Sequence, residues 1–390
     1  MTNAAAPATA AEALARIGAL REALSGSGDA ADRAAEFPHQ GIDALKNAGL
    51  LSAAAPAAYG GAGLTAAELT ELAMRIGGHC GSTGMIWVMH QIQLVCLAMG
   101  AESRPVIADY LRTAATEQHL IASVTSEAGI GGNLRTSRAA LVQVGEDHLL
   151  EKHATTVSYG EQADSLLVTA RRDQQAASDE QVLVLVLAKQ ARLRRTGPWN
   201  TLGMRGTCSA PQHLQAVVPS GQVLAEPFSV IAANIMVPLS HLLWAAVWAG
   251  IATDAFRRAV RFSQAKAARA GGTFAPDPRL GRMHATLTML RSEVRGFAAD
   301  FARNAQADAF PRDLTMQSNA LKLSASEETV RVAAQALEVC GMAGYSEEGG
   351  FSIARHLRDL YSGRVMISND KINAVNTELL LNGEDLLDRA

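Results

Sequence analysis

The chain has 390 residues, 48% hydrophobic and 19% charged, with a formal net charge of −3; this is ample apolar material for a large core in two or three domains and excludes a disordered or fibrous chain. Without a basic surplus the protein cannot release counterions from a nucleic acid, so no such partner is expected. Cys80, Cys96, Cys208 and Cys340 lie far apart with no CxxC pair, which points to neither a metal site nor a disulfide framework and fits a reducing, cytoplasmic location.

Met1 to Leu20 is alanine-rich and lacks the basic and apolar regions of an export signal. Leu14, Ile17, Leu20 and Leu24 recur at helical spacing, and the same period runs through Leu64 to Ile76 and Met85 to Met99. Phe37-Pro38 and the stretch Ala57 to Gly63 interrupt it as turns, so residues 1–118 read as a helical domain. From Leu120 to Leu224 the texture becomes short β-type runs, at Leu166 to Thr169, Gln181 to Leu187 and Leu214 to Val218, and a β-domain is expected at 119–226. Val182 to Leu187 is continuously apolar, as in a strand buried on both faces.

After Pro227 helical spacing returns in Leu239 to Ala267, Pro278 to Ala305, Thr315 to Cys340 and Asp370 to Leu387, which predicts a helical bundle at 227–390. Phe228 to Thr253 carries no Asp, Glu, Lys or Arg, yet it contains Asn234, Pro238, Ser240 and His241. It reads as a helix buried on all sides, and no membrane span is expected.

Within Ser126-Glu127-Ala128-Gly129-Ile130-Gly131-Gly132-Asn133, the glycines let backbone N–H groups approach a planar or anionic ligand, and Thr125 and Ser126 add hydroxyls. Four further motifs punctuate the chain: Pro56-x-x-Tyr59-Gly60-Gly61-x-Gly63, Leu202-Gly203-Met204-Arg205-Gly206-Thr207, Gly341-Met342-Ala343-Gly344-Tyr345 and Arg358-Asp359. In this order, across a helix, sheet, helix texture, they resemble the acyl-CoA dehydrogenase family, and the resemblance covers nearly the whole chain.

The resemblance implies an α+β protein with an N-terminal α-helical domain, a central antiparallel β-barrel-like domain and a C-terminal four-helix bundle. It further implies a homodimer or homotetramer holding FAD, or else FMN or reduced flavin supplied by a reductase. Thr125 and Ser126, with Gly131 and Gly132, would lie against the flavin ring. Thr156 stands where the family often has an aromatic shield, and Ser158 where it has a threonine. Lys266 or Arg269, with Glu338 and the Gly341 to Gly344 turn, would face the dinucleotide of a neighbouring subunit.

The family's catalytic glutamate is missing. Its two alternative positions fall at or near Ile367 and at Ser240, neither of which carries a base able to take a proton from the carbon α to a thioester. Asp370, Tyr361, His241 and His90 are the nearby polar candidates, although Asp370 also suits a helix cap and His90 a satisfied core histidine. The first functional reading is dehydrogenation of a CoA- or carrier-bound acyl group by a displaced base, with an electron-transfer flavoprotein as possible partner. The second is a two-component flavin monooxygenase, suggested by Ser82 to His90, which resembles a helix of such hydroxylases. The third is a non-catalytic flavin-binding scaffold.

Overall fold

The computed structural model describes residues 3–272, 276–306 and 312–382. By packing, the chain divides into two compact units, one formed by Met1–Leu69, Ile86–Asn200 and Arg205–Ser240 and the other by Thr70–Met85, Thr201–Met204 and His241–Ala390.

Six helices open the chain: α1 (Ala10–Ala19), α2 (Arg21–Ala34), α3 (His39–Asn47), α4 (Ala66–His79), α5 (Gly81–Met99) and α6 (Pro105–Glu117). The Thr9 hydroxyl caps α1 by accepting from the Glu12 N–H, and Ala13 and Ile17 mark its buried stripe. The few polar side chains of α5 complete the backbone of residues 50–54. The Trp87 indole donates to the Leu50 carbonyl at 2.9 Å, and the Gln91 carboxamide oxygen accepts from the Ala54 N–H at 2.8 Å. Buried backbone that forms no ladder needs such partners.

Seven strands follow: β1 (Ile121–Val124), β2 (Leu141–Val144), β3 (Asp147–Ala154), β4 (Ser165–Arg171), β5 (Gln181–Leu187), β6 (Ala191–Arg195) and β7 (Gln212–Pro219). They form two sheets, ordered β1-β4-β5 and β2-β3-β7-β6. The first is mixed: β1 runs parallel to β4, with Ile121 opposite Ser165, and β5 runs antiparallel to β4. Leu183, Val184, Leu185 and Val186 are all within 1% of full burial, so β5 is covered on both faces as its apolar run predicts. The second sheet is antiparallel throughout, and β3 and β7 alternate buried with exposed residues.

The expected central β-domain is present as two sheets, but β1 pairs parallel with β4 and among the described residues the sheets do not close into a barrel. The β2–β3 hairpin and its flanking loops lie between β1 and β4 in the chain, which supplies the long crossover that a parallel pair requires.

The C-terminal part comprises α7 (Phe228–Ile231), a π-helical turn at Ala232–Met236, α8 (Val237–Arg269), α9 (Pro278–Gln306), α10 (Arg312–Cys340), α11 (Met342–Tyr345), α12 (Ala354–Val365) and α13 (Asn369–Leu381). Pro238 has no N–H to give the carbonyl four residues back, and the wide turn ends just before it. Ala245 to Ala249 are all 0% exposed, so α8 is buried around its whole circumference here. Within the second unit α4 and α8 cross at glycines: a Cβ on Gly250 would lie 2.2 Å from the Met74 carbonyl oxygen, and one on Gly77 2.7 Å from that of Val247. Helices α9, α12 and α13 all pack on α10.

By length and composition Gly81–Met99 and Phe228–Arg269 could each cross a membrane, but 78% and 67% of their apolar windows are buried inside the protein. The expected helical residues beyond 382 lie outside the described ones.

Candidate functional site

The glycine-rich loop is fixed from beneath by a buried ion pair. Lys152 points inward because it alternates with Leu150 and Ala154 on the covered face of β3. Its ammonium donates to the Thr169 carbonyl at 2.7 Å and hydroxyl at 2.9 Å and lies 3.5 Å from the Glu127 carboxylate. Glu127 also accepts from the Ser137 hydroxyl and from the N–H groups of Arg138 and Ala139. Burial works to raise the Glu127 carboxyl, but Lys152 and these donors outweigh it and hold the group below its usual range. The Lys152 ammonium is pushed down to about 8 by burial, against the pull of Glu127. Both ends of the segment 127–139 are thus tied to one carboxylate.

Two of the hydroxyls singled out in the sequence, those of Ser126 and Ser158, bridge segments of this unit. The half-buried Ser126 donates to the Thr156 carbonyl at 2.7 Å and accepts from the Thr156 N–H at 3.0 Å, joining the loop to the segment after β3. Ser158 Oγ lies 2.8 Å from Ser209 Oγ, which lies 2.8 Å from Thr207 Oγ1, so a hydroxyl chain runs into the Leu202 to Thr207 motif. Gly129, Gly131 and Gly132 all have positive φ. Around Gly131 an added Cβ would meet nothing within 4 Å. Thr125, Ser126, Thr156 and Ser158, none fully buried, chemically fit the polar edge of a flavin.

His90 is not available as a base. It lies in the middle of α5, 0% exposed; Nε2–H donates to the Leu51 carbonyl at 2.7 Å and Nδ1 accepts from the Ile121 N–H at 3.1 Å. This arrangement requires a neutral ring, and burial lowers its titration to about 4. His90 is a structural link between α5, the 50–54 segment and β1.

In the second unit Ile367, near which the resemblance puts the family's carboxylate, lies between α12 and α13. Ile367 is 43% exposed with φ +51°, a strained conformation for a β-branched residue. The fully buried Lys322 holds it there, donating at 2.6 Å to both the Ile367 carbonyl and the Asn369 Oδ1. Burial brings Lys322 down to about 8, opposed by Glu327. A buried cation therefore sits beneath the backbone at this position.

Ser240 is 6% exposed and opens α8 beside His241, which is 1% exposed. His241 Nδ1–H donates to the Ser318 carbonyl at 3.2 Å, and its Nε2 has no hydrogen-bond partner among the described residues. Burial, and then Lys322, lower its titration to about 3, so it is a neutral acceptor and a weak base. Asp370 is exposed in the first turn of α13; it does not cap the helix, whose N-cap is Ser368. Its charge suits the positive helix end. Tyr361 is 43% exposed on α12.

Of the remaining expected cofactor residues, Lys266 is exposed in the last turn of α8. Glu338, exposed near the end of α10, is 3.5 Å from Arg279. Gly341 has φ +57° and starts α11, whereas Gly344 is buried against Cys340 and Leu337. Two of the sequence motifs meet directly: Asp359 Oδ1 accepts from the Met204 N–H at 2.6 Å, and a Cβ on Gly203 would lie 2.1 Å from the Arg358 carbonyl oxygen. The Arg-Asp pair thus anchors the Leu202 to Thr207 motif.

The sequence reading missed Lys152, Lys322 and Ser209. Strand alternation gives away Lys152. For Lys322 the signal is a polar stripe at helical spacing, Ser318, Lys322, Ser326 and Thr329, all 0% exposed.

The acyl-CoA dehydrogenase N-terminal domain model matches residues 11–117, and the C-terminal domain model matches residues 234–367. Cyclohex-1-ene-1-carbonyl-CoA dehydrogenase of Geobacter metallireducens is 24% identical over 362 residues, 89% of this chain and 90% of its own. L-evernosamine nitrososynthase of a Micromonospora species is 25% identical over 378 residues, 92% of this chain and 86% of its own. The crystal structure of FMN-bound TdsC from Paenibacillus sp. A11-2, a dibenzothiophene monooxygenase, matches with a TM-score of 0.84 at 21% identity, covering 95% of this chain and 98% of that one. With both terminal-domain models matched in order and relatives spanning about nine-tenths of its length, the chain belongs to the acyl-CoA dehydrogenase family of flavin-dependent oxidoreductases.

Proposed function

We propose that this protein is a flavin-dependent monooxygenase of the family, which receives reduced flavin from a reductase and uses O₂. One observation carries the reading: neither family base position holds a carboxylate, and the Ile367 carbonyl is hydrogen-bonded by the buried Lys322 ammonium at 2.6 Å. A dehydrogenase must take a proton from the carbon α to the thioester, and neither a buried ammonium nor a histidine as weakly basic as His241 suits that role. Oxygen chemistry on reduced flavin needs no such base, and the similarity to a nitrososynthase over 92% of the chain is in keeping with it. FMN and FAD both suit the hydroxyls of Thr125, Ser126, Thr156 and Ser158. A homo-oligomer would cover Met342 and Tyr345, 79% and 70% exposed beside Gly341 and Gly344, and bring Lys266 toward a second subunit's cofactor.

When bound, the flavin supplies the redox chemistry. In this reading Thr125, Ser126, Thr156 and Ser158 hold its polar edge. The competing reading, dehydrogenation of an acyl thioester, is favoured by the relative named as an acyl-CoA dehydrogenase that aligns over 89% of the chain. Anaerobic mixing of the flavin-loaded protein with a panel of acyl-CoA thioesters separates the two. No bleaching is expected, whereas the protein mixed with reduced flavin and air should give a transient absorbance that free flavin lacks. Bleaching by any acyl-CoA would overturn the monooxygenase reading.

A further inference from the structure

We propose that the outer face of the antiparallel sheet carries a binding site for a divalent transition-metal ion, with Zn²⁺ as the reference ion, built from Glu151, His153 and His213. In the β3–β7 register His153 stands directly opposite His213, and Glu151 lies two residues before His153, hence on the same face. The two imidazoles are stacked, with centroids 4.2 Å apart and planes 4° from parallel. His213 Nε2 is 2.7 Å and His153 Nε2 4.0 Å from Glu151 Oε1, and one ligand atom from each of the three residues lies within 4.8 Å of the others.

Around a tetrahedral zinc, with metal–ligand distances of about 2.0–2.2 Å, neighbouring donors are separated by roughly 3.3–3.5 Å. Stacked as they are, the rings send their in-plane Nε2 lone pairs in parallel, so coordination needs the rings to turn toward one another, for which the 63% exposed His153 and 49% exposed Glu151 leave room. Two imidazoles and a carboxylate suit a borderline ion, and the solvent side leaves room for water as a further ligand.

The charged and polar neighbours on this face set the competition. Gln215 Nε2 donates to Glu151 Oε1 at 3.3 Å and would orient the carboxylate. Arg194 Nη2 lies 3.4 Å from His213 Nδ1, and Arg192, opposite Gln215 on β6, shares the face. Coordination through His213 Nε2 leaves the ring proton on Nδ1, so the long Arg194 contact is given up. The His153 carbonyl accepts from the Ala128 N–H at 2.8 Å. An ion here would therefore clip β3 to β7 where the glycine-rich loop is anchored.

The test uses the full, tag-free chain stripped with a chelator and titrated with ZnCl₂ by calorimetry, with the Co²⁺ visible spectrum as a second readout. One equivalent that depends on these residues is expected, together with a metal-dependent rise in melting temperature. His153→Ala and Glu151→Gln, both at exposed positions, should melt like the parent without metal yet bind Zn²⁺ about tenfold or more weakly. Absence of zinc binding by the parent, or equal binding by the parent and both variants, overturns the proposal.

Discussion

Lys152 and Lys322 are both buried, one under the glycine-rich loop and one under the Ile367 turn, but they are compensated differently. Lys152 has a carboxylate at 3.5 Å and the Thr169 carbonyl and hydroxyl as acceptors. Lys322 is held at 2.6 Å by two neutral acceptors, the Ile367 carbonyl and the Asn369 amide oxygen. A paired cation can serve architecture alone, since its field is largely cancelled by its partner. Lys322 has no carboxylate in direct contact, and although Glu327 partly offsets it through space, its field still suppresses protonation of His241. The first arrangement ties both ends of a loop to one carboxylate, and the second keeps a cation beneath the Ile367 turn.

The largest expected effect comes from breaking the pair. Glu127→Ala leaves Lys152 buried without its carboxylate and should lower the unfolding free energy by about 3–5 kcal/mol in urea titrations. Lys322→Met removes a buried charge together with its bonds and orphans two acceptors. It should cost less, about 1–3 kcal/mol. A larger loss of stability in Lys322→Met than in Glu127→Ala would break the comparison.

The neutral histidines sharpen it through pH. His90 and His241 titrate at about 4 and about 3 in the folded chain, below the ordinary 6.5. Between those values and 6.5 the unfolded chain binds more protons than the folded one, so stability rises with pH. Their contribution is complete above pH 6.5 and falls by about 1.4 kcal/mol per pH unit for each histidine as acid is added, until the folded value is reached. Urea midpoints from pH 7 to 4.5 should trace this slope, and His90→Asn should flatten it. The smallest effect is expected at the exposed Asp370: Asp370→Asn should stay within about 0.5 kcal/mol of the parent. The response to reduced flavin and air should likewise be unchanged, whereas flavin reduction by an acyl-CoA that Asp370→Asn slows by orders of magnitude would establish Asp370 as a base and the dehydrogenase reading with it.

The helices were legible because their apolar spacing is strong. The uncharged run from Phe228 to Thr253 reads as a buried helix, and Ala245 to Ala249 are fully buried. The doubly covered strand was legible for the same reason, since Val182 to Leu187 has no polar side to expose. The parallel pairing of β1 with β4 was not, because partner and direction depend on where a long crossover lands rather than on any local pattern. Motif resemblance named the loop, the Arg-Asp pair and the missing glutamate, but it gave no reason for Asp359, whose role is to hold the Met204 N–H 155 residues away in sequence.

By itself the sequence determined which segments are helix or strand, which family they belong to, and that no carboxylate stands at Ser240 or Ile367. Only the tertiary structure decided which polar side chains are buried and what they face. His90 lost its candidacy as a base because two backbone groups, at Leu51 and Ile121, occupy both its nitrogens. Lys322 gained its place because the turn at Ile367 folds back over it. Burial and hydrogen bonding depend on long-range packing, which periodicity along the chain does not encode.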